Sequence, residues 1–380
     1  MPDFPPNFFA IEKSDPLCPA RAGLIKTPHG LIPTPTFMAV GTRGSVKAVG
    51  PDDLTRAGSR IVLANTYHLY LRPGLEVIQL FGGLHKFMGW PGPILTDSGG
   101  YQVFSLSAIR EISEAGVMFR SPYDGSKTFF TPELVVEAQT ALGVDIMMSL
   151  DECPPYPSSL AAIEKSLDLT MNWAARGRAT WNPRQGQALF GIVQGGFYPA
   201  TRAQAAQRIA ALNFPGHALG GLALGEPLAE RLDAIEIARA ELPPEKPLYL
   251  MGLGTPEDLV EGIKRGADLF DCVLPTRNAR NGQLFTRRGR LNILNARHRT
   301  DSRPLDPDCQ CQTCQTFSRA YLRHLCQNRE PLFLRLATIH NLSYYLELTK
   351  TAREAILRGA FAEFAKNFYA LRAAGESEDS

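Results

Sequence analysis

The chain has 380 residues, 44% apolar and 21% charged, with a formal net charge of +2. That is the make-up of a globular protein with one large domain or two to three smaller ones. No run of about 18 apolar residues occurs, so no membrane-spanning helix is expected. The opening MPDFPPNFFAIEKSD has no basic start leading into an apolar stretch, so no secretory leader is expected.

Short apolar runs recur along the chain with helical spacing between them. They are TFMAVG (36–41), RIVLANTY (60–67), GPILTDS (92–98), DIMMSLDE (145–152), ALFGIVQGG (188–196), HALGGLALG (217–225), PLYLMGLG (247–254) and DLFDCVLP (268–275). Each is nearly continuous rather than alternating, as in parallel strands buried on both faces. Helices are expected between them, two of them opened by Thr131-Pro132 and Thr255-Pro256. Eight strands alternating with helices over roughly 250 residues describe a (β/α)8 TIM barrel. A doubly wound sheet is the runner-up, but no GxGxxG follows the first strand. The segment 110–132 interrupts the pattern, and its YDGS turn reads as an inserted β-hairpin.

Function in such a barrel sits at the C-terminal ends of the strands. There the sequence has Asp97 with Ser98, Gly99, Gly100 and Tyr101, then Asp151-Glu152, Gln194, Gly221-Leu222, Met251-Gly252 and Asp271. One Asp at a strand end is commonly a helix cap. Several, flanked by glycines that let backbone approach a flat ligand, ask for a site. Two carboxylates suit substitution at a sugar carbon, one as nucleophile and one as proton shuttle. Asp151, Gln194 and the Gly221 backbone then suit the edge of a planar heterocycle, with Tyr101 or Met251 on its face. Spacing alone leaves a phosphate-handling barrel open.

Ten Lys or Arg lie between Lys264 and Arg303 against three Asp. Such a stretch on a nearly neutral chain fits a polyanion contact, or simply an uneven solvated surface. Three of the seven cysteines fall in CQCQTC, as Cys309, Cys311 and Cys314, with His340 after 25 intervening residues. The odd, unpaired spacing of the cysteines does not read as a secreted disulfide framework and points to the reducing cytosol. Three thiolates and an imidazole make a closed structural zinc shell. On spacing, His324 and Cys326 rival His340 as fourth ligand. The expected division is a catalytic barrel over 1–300, with its N-terminal extension and the insertion, and a C-terminal zinc-binding subdomain with helices over 301–380.

TDSGGYQVFSL (96–106), FGIVQGG (190–196), ALGGLALGE (218–226), LMGLGTPEDL (250–259), FDCVLPTRNARNG (270–282) and the C-x-C-x2-C…H pattern occur in this order. In them the chain resembles the tRNA-guanine transglycosylase family over about residues 30–350. The resemblance implies exchange of guanine at wobble position 34 of tRNAs with GUN anticodons (Asp, Asn, His, Tyr), in queuosine biosynthesis. It implies Asp271 as the nucleophile that bonds C1′ of that nucleotide and Asp97 as general acid/base. Asp151, Gln194, Gly221 and Leu222 would contact the base, and Tyr101 and Met251 would stack on it. Ser98, Gly99, Gly100 and Cys153 would complete the pocket. Gly252, Leu253, Gly254, Thr255, Pro256, Glu257, Asp258, Thr276, Arg277, Asn278, Ala279 and Arg280 would hold the tRNA anticodon loop. Zinc would be bound by Cys309, Cys311, Cys314 and His340, leaving His324 an ordinary helix residue. Cys153 and a branched apolar residue at Leu224 resemble the bacterial members, which use preQ1, although Val is common at that position and Leu departs from it slightly; the 40 residues after His340 are expected to leave no room for the extra RNA-binding domains of archaeal ones. A homodimer is common in the family. A zinc-stabilised tRNA-binding subunit without catalysis is the alternative, and such subunits should lack the two carboxylates.

Overall fold

A computed structural model describes residues 7–101, 110–183 and 186–379. It begins with an antiparallel sheet of β1 (Phe9–Ser14), β2 (Arg21–Thr27) and β3 (Gly30–Thr34). Eight parallel strands then close into a barrel in chain order: β4 (Thr36–Val40), β5 (Val62–Asn65) and β6 (Ile94–Asp97) come first. The insertion follows as β7 (Arg110–Ser113), β8 (Gly116–Arg120) and β9 (Lys127–Phe130). The barrel resumes with β10 (Ile146–Met148), β11 (Ala188–Val193), β12 (Gly216–Leu219), β13 (Leu248–Leu250) and β14 (Leu269–Asp271), which pairs with β4. These strands coincide with the eight apolar runs, and the fold is the (β/α)8 barrel that the alternation called for. The expected hairpin is β8–β9, with Val117 opposite Phe130 and Arg120 opposite Lys127, and β7 adds a third strand. Part of the TDSGGYQVFSL stretch, residues 102–109, lies outside the described residues.

The barrel interior is filled by Met38, Leu63, Leu95, Met148, Ile192, Ala218 and Tyr249. Phe8, Ile25 and Ile32 of the N-terminal segment join the same cluster. The small sheet therefore plugs the N-terminal end of the barrel, and Phe8 meets Phe190 edge to face at 6.1 Å. Arg21 of β2 is locked there on buried Asp268, whose carboxylate also accepts the Leu248 amide at 2.7 Å. Conserving this end for packing leaves the opposite rim for chemistry.

After β14 the helix Leu274–Arg280 runs along the rim, followed by the hairpin β15 (Gln283–Thr286) and β16 (Gly289–Asn292). The helix Pro331–Leu357 then ties the C-terminal part to the rim. Its Asn341 accepts the Phe285 amide at 3.0 Å and donates to the Pro275 carbonyl at 2.9 Å. Its Tyr345 hydroxyl donates to the Gly254 carbonyl at 2.6 Å. No helix among the described residues is long and apolar enough to cross a membrane.

Candidate active site

A cavity of ≈460 Å³ opens at the C-terminal rim, and strand ends supply its polar groups. Asp97, Ser98, Gly99, Gly100, Tyr101, Asp151, Cys153, Gln194, Gly221, Leu222, Met251, Gly252, Asp271 and Arg277 all line it. The residues expected to handle a base and its sugar are thus brought to one mouth. Leu224 lines it too.

Asp271 ends β14. The Tyr249 hydroxyl donates to its Oδ1 at 2.6 Å and the Gly252 amide to the same oxygen at 2.8 Å. Oδ2 has no hydrogen-bond partner among the described residues. One oxygen is therefore anchored and the other left for the ligand. Burial pushes the carboxyl up from its ordinary value, against the pull of Tyr249 and Gly252. The Tyr249 phenol is itself pushed far up by burial and by the Asp271 charge, so it keeps its proton and acts as a donor.

Asp97 ends β6 beside Asn65, its partner in the β5–β6 register. The Asn65 amide donates to both carboxylate oxygens at 2.7 Å. Burial nevertheless pushes Asp97 up to about 7; Asn65 opposes this, and the Asp271 charge adds to it. A carboxyl poised near neutrality exchanges protons readily in both directions. Asp151 accepts from Gln194 Nε2 at 2.6 Å and from Ser98 Oγ at 3.4 Å. Burial lifts it to about 6. The Cys153 thiol beside it is pushed up to about 12, chiefly by burial, and stays protonated. Gln194 Oε1 is buried and has no hydrogen-bond partner among the described residues, so this wall carries unused hydrogen-bonding capacity.

Two residues of this site were not singled out in the sequence. Asn65 lies in the ANTY strand end that the alternation does mark, but its reach to Asp97 depends on barrel register. Tyr249 reads as an ordinary strand aromatic, and only closure of the barrel turns its hydroxyl to Asp271.

The 252–258 segment packs against the site. A Cβ on Gly254 would lie 2.0 Å from that of Cys272, so only glycine lets this loop lie on the strand end that carries Asp271. Thr255 and Asp258 form a reciprocal capping box, with Asp258 also bound by Arg231 at 2.8 Å. Leu253, Asp258, Thr276 and Ala279 are buried, so their side chains serve packing and capping. Arg277 and Arg280 are exposed on the rim helix. Within the basic stretch, Arg265 pairs with Glu236 and Glu261, and Arg287 with Asp306 and Glu347.

Cys309, Cys311, Cys314 and His340 converge in a buried cluster able to hold a metal ion. The three sulfurs lie 3.7, 3.7 and 3.3 Å from His340 Nδ1. His340 Nε2 contacts the Phe285 carbonyl at 2.8 Å, which fixes that nitrogen as the N–H and turns Nδ1 toward the sulfurs. His324 stands exposed on the helix Arg319–Gln327, bonded to Asn328, and takes no part.

A parallel barrel with Asp97, Asp151, Asp271 and Gln194 gathered at its C-terminal mouth, and with a cluster of three sulfurs and one imidazole in its C-terminal part, defines a class of barrel proteins. The family model described as Queuine tRNA-ribosyltransferase matches residues 15–374, and the chain belongs to that family. A Queuine tRNA-ribosyltransferase of Thermoanaerobacter pseudethanolicus is 52% identical over 361 residues, covering 95% of this chain and 96% of the relative. Those of Nitratidesulfovibrio vulgaris (54%, covering 96% and 97%) and Acidithiobacillus ferrooxidans (53%, covering 94% and 95%) are similarly close.

Proposed function

We propose that the protein is a tRNA-guanine transglycosylase that exchanges guanine 34 of GUN-anticodon tRNAs for preQ1 in queuosine synthesis. The observation that carries this reading is the pair in one cavity: Asp271 with one oxygen anchored and one open, and Asp97 poised near pH 7. A merely tRNA-binding subunit would leave that pairing without a use.

The wobble nucleotide is splayed out of the anticodon loop into the cavity. Asp151 accepts N–H groups on one edge of the base, while Gln194 and the Gly221 amide meet its carbonyl. Tyr101 and Met251 cover its faces, with Ser98, Gly99, Gly100, Cys153 and Leu222 shaping the rest. Oδ2 of Asp271 attacks C1′, the bond to N9 breaks, and Asp97 supplies the proton that the departing guanine takes up. preQ1 then enters and gives its N9 proton to Asp97. Its nitrogen displaces Asp271, and two inversions at C1′ restore the original configuration. Arg277 and Arg280, with the loop Gly252–Asp258 and the helix turn Thr276–Arg280, hold the RNA backbone.

Zinc fits the sulfur–imidazole cluster. Tetrahedral zinc with Zn–S near 2.3 Å and Zn–N near 2.05 Å sets S···N edges of about 3.6 Å, and the observed 3.3–3.7 Å brackets that value. Cys309, Cys311, Cys314 and His340 would hold the ion with no position left open, which is the structural kind of site. Residues 1–300 form the catalytic body and 301–380 the zinc-binding part, with the helix Pro331–Leu357 shared between them. The enzyme works as a homodimer in the cytosol, where its tRNA is found and its thiols stay reduced. Incorporation of labelled guanine into unmodified tRNA tests the reading, and a protein that binds tRNA without incorporating label refutes it.

A further inference from the structure

Beneath Gly221 lies a charged side chain that none of these steps uses. Arg202, from the helix Pro199–Ala211, is fully buried. Its Nε donates to the Gly196 carbonyl at 2.9 Å, and Nη1 to the carbonyls of Val193 at 3.2 Å and Gly220 at 3.1 Å. Nη2 is buried with no hydrogen-bond partner among the described residues and sits 4.0 Å from where a Cβ on Gly221 would be. Burial lowers its pKa only to about 10, so it stays cationic at neutral pH. Three backbone carbonyls could be braced more cheaply by a neutral donor. A desolvated cation with an unmatched N–H is a local conflict of the kind found at functional sites.

The orientation of one peptide shows what the charge acts on. The Gly220–Gly221 bond is trans, the cis bonds of the described chain being X-Pro. Its C=O and N–H therefore point in opposite directions. The Gly220 C=O is turned to Arg202, and the Gly221 N–H points away from it, facing the Cys153 thiol on the cavity wall. A φ of +71° at Gly221 gives the turn that glycine adopts without strain. Gln194 Nε2 on the same wall spends one of its two N–H groups on Asp151.

We propose that Arg202 polarises the Gly220–Gly221 peptide, so that the Gly221 N–H stabilises negative charge on the carbonyl of the departing base. This makes Arg202 a positioning residue for leaving-group expulsion, and it rests on the exchange reaction proposed above. As the Asp271 Oδ2–C1′ bond forms and the C1′–N9 bond breaks, the released electron pair spreads from N9 to the 6-carbonyl oxygen. It stays there until the Asp97 proton reaches N9. A donor fixed at that oxygen and backed by a cation is worth more in the transition state than in the ground state.

The test compares Arg202→Met with Arg202→Lys, which both lose the fork and differ in charge; Arg202→Gln serves as the neutral member if Met does not fold. Wild-type exchange of labelled guanine is measured first, and its absence would count against the exchange reaction rather than against the role of Arg202. In single turnover at saturating tRNA, R202M should form the covalent RNA adduct roughly 10–100-fold more slowly than wild type. Its KM for tRNA should hold, and R202K should recover most of the rate. In the free protein, alkylation of Cys153 at one fixed, mildly alkaline pH, read by peptide mapping, should be slower in R202M than in R202K, without any turnover. Equal adduct rates and equal Cys153 alkylation rates in the two variants, with equal losses of melting temperature, would reduce Arg202 to a brace and overturn the proposal. Adduct formation by R202M at the wild-type rate would overturn it as well.

Discussion

Replacing Asp97 by Asn should stabilise the folded protein, and by an amount that depends on pH. Burial holds the Asp97 carboxyl at about 7, against an ordinary value of 3.8. Between those values the folded state binds a proton that the unfolded chain has released. Stability therefore falls as pH rises through this window and levels off above about 7. At about 1.4 kcal/mol per pH unit, full ionisation costs roughly 4 kcal/mol. Asn at this position does not titrate, and it can still accept one of the two Asn65 hydrogen bonds. Loss of the other offsets about 1 kcal/mol. The expected gain is roughly 3 kcal/mol at pH 8 and close to zero at pH 4. Urea unfolding of both proteins across pH 4–9 measures it through the midpoints at constant slope. A constant difference between D97N and wild type over that range would refute the reasoning, because it would mean that Asp97 ionises as easily in the folded protein as in the unfolded one.

The same carboxyl should shape catalysis. Asn65→Ser keeps a helix-capping oxygen for the His68 amide but no longer reaches Asp97; loss of a bond to a charged group worth about 1.5–3 kcal/mol should move the acidic limb of base exchange up by about 1–2 pH units, and an unmoved limb would detach that limb from Asp97. Cys311→Ser should lower zinc content and the cooperative melting of the 300–345 region together, whereas full metal occupancy with unchanged melting would contradict the shell. Arg280→Ala should weaken tRNA binding and lower its salt slope by about 1 while leaving free preQ1 binding alone; loss of preQ1 binding with intact tRNA affinity would put Arg280 in the base pocket.

The barrel was legible because each strand is a short apolar run that stops at Asp, Asn, Gln or Gly, and the same stops mark the rim. Asp97, Asp151, Gln194 and Asp271 could be read for that reason. The metal cluster was legible because three ligands sit within six residues; the choice between His324 and His340 needed either resemblance or the long helix that buries His340 against Phe285. Asn65, Tyr249 and Arg202 were not legible as site residues. The first two act across neighbouring strands, and the third sits in an amphipathic helix whose pattern, ATRAQAAQ, predicts only packing. The N-terminal sheet was missed too, since its outermost strand, β1, is largely exposed and carries no continuous apolar run.

The covalent intermediate tests the account most directly. Wild-type protein incubated with unmodified tRNA and quenched in denaturant should run partly as an RNA–protein adduct, and peptide mapping should place the ribose on Asp271. Asp271→Asn removes the attacking oxygen while leaving the phosphate contacts, so it should bind tRNA and give no adduct. An adduct that persists in the Asp271→Asn variant, or one mapped to Asp97 in the wild type, would contradict the account.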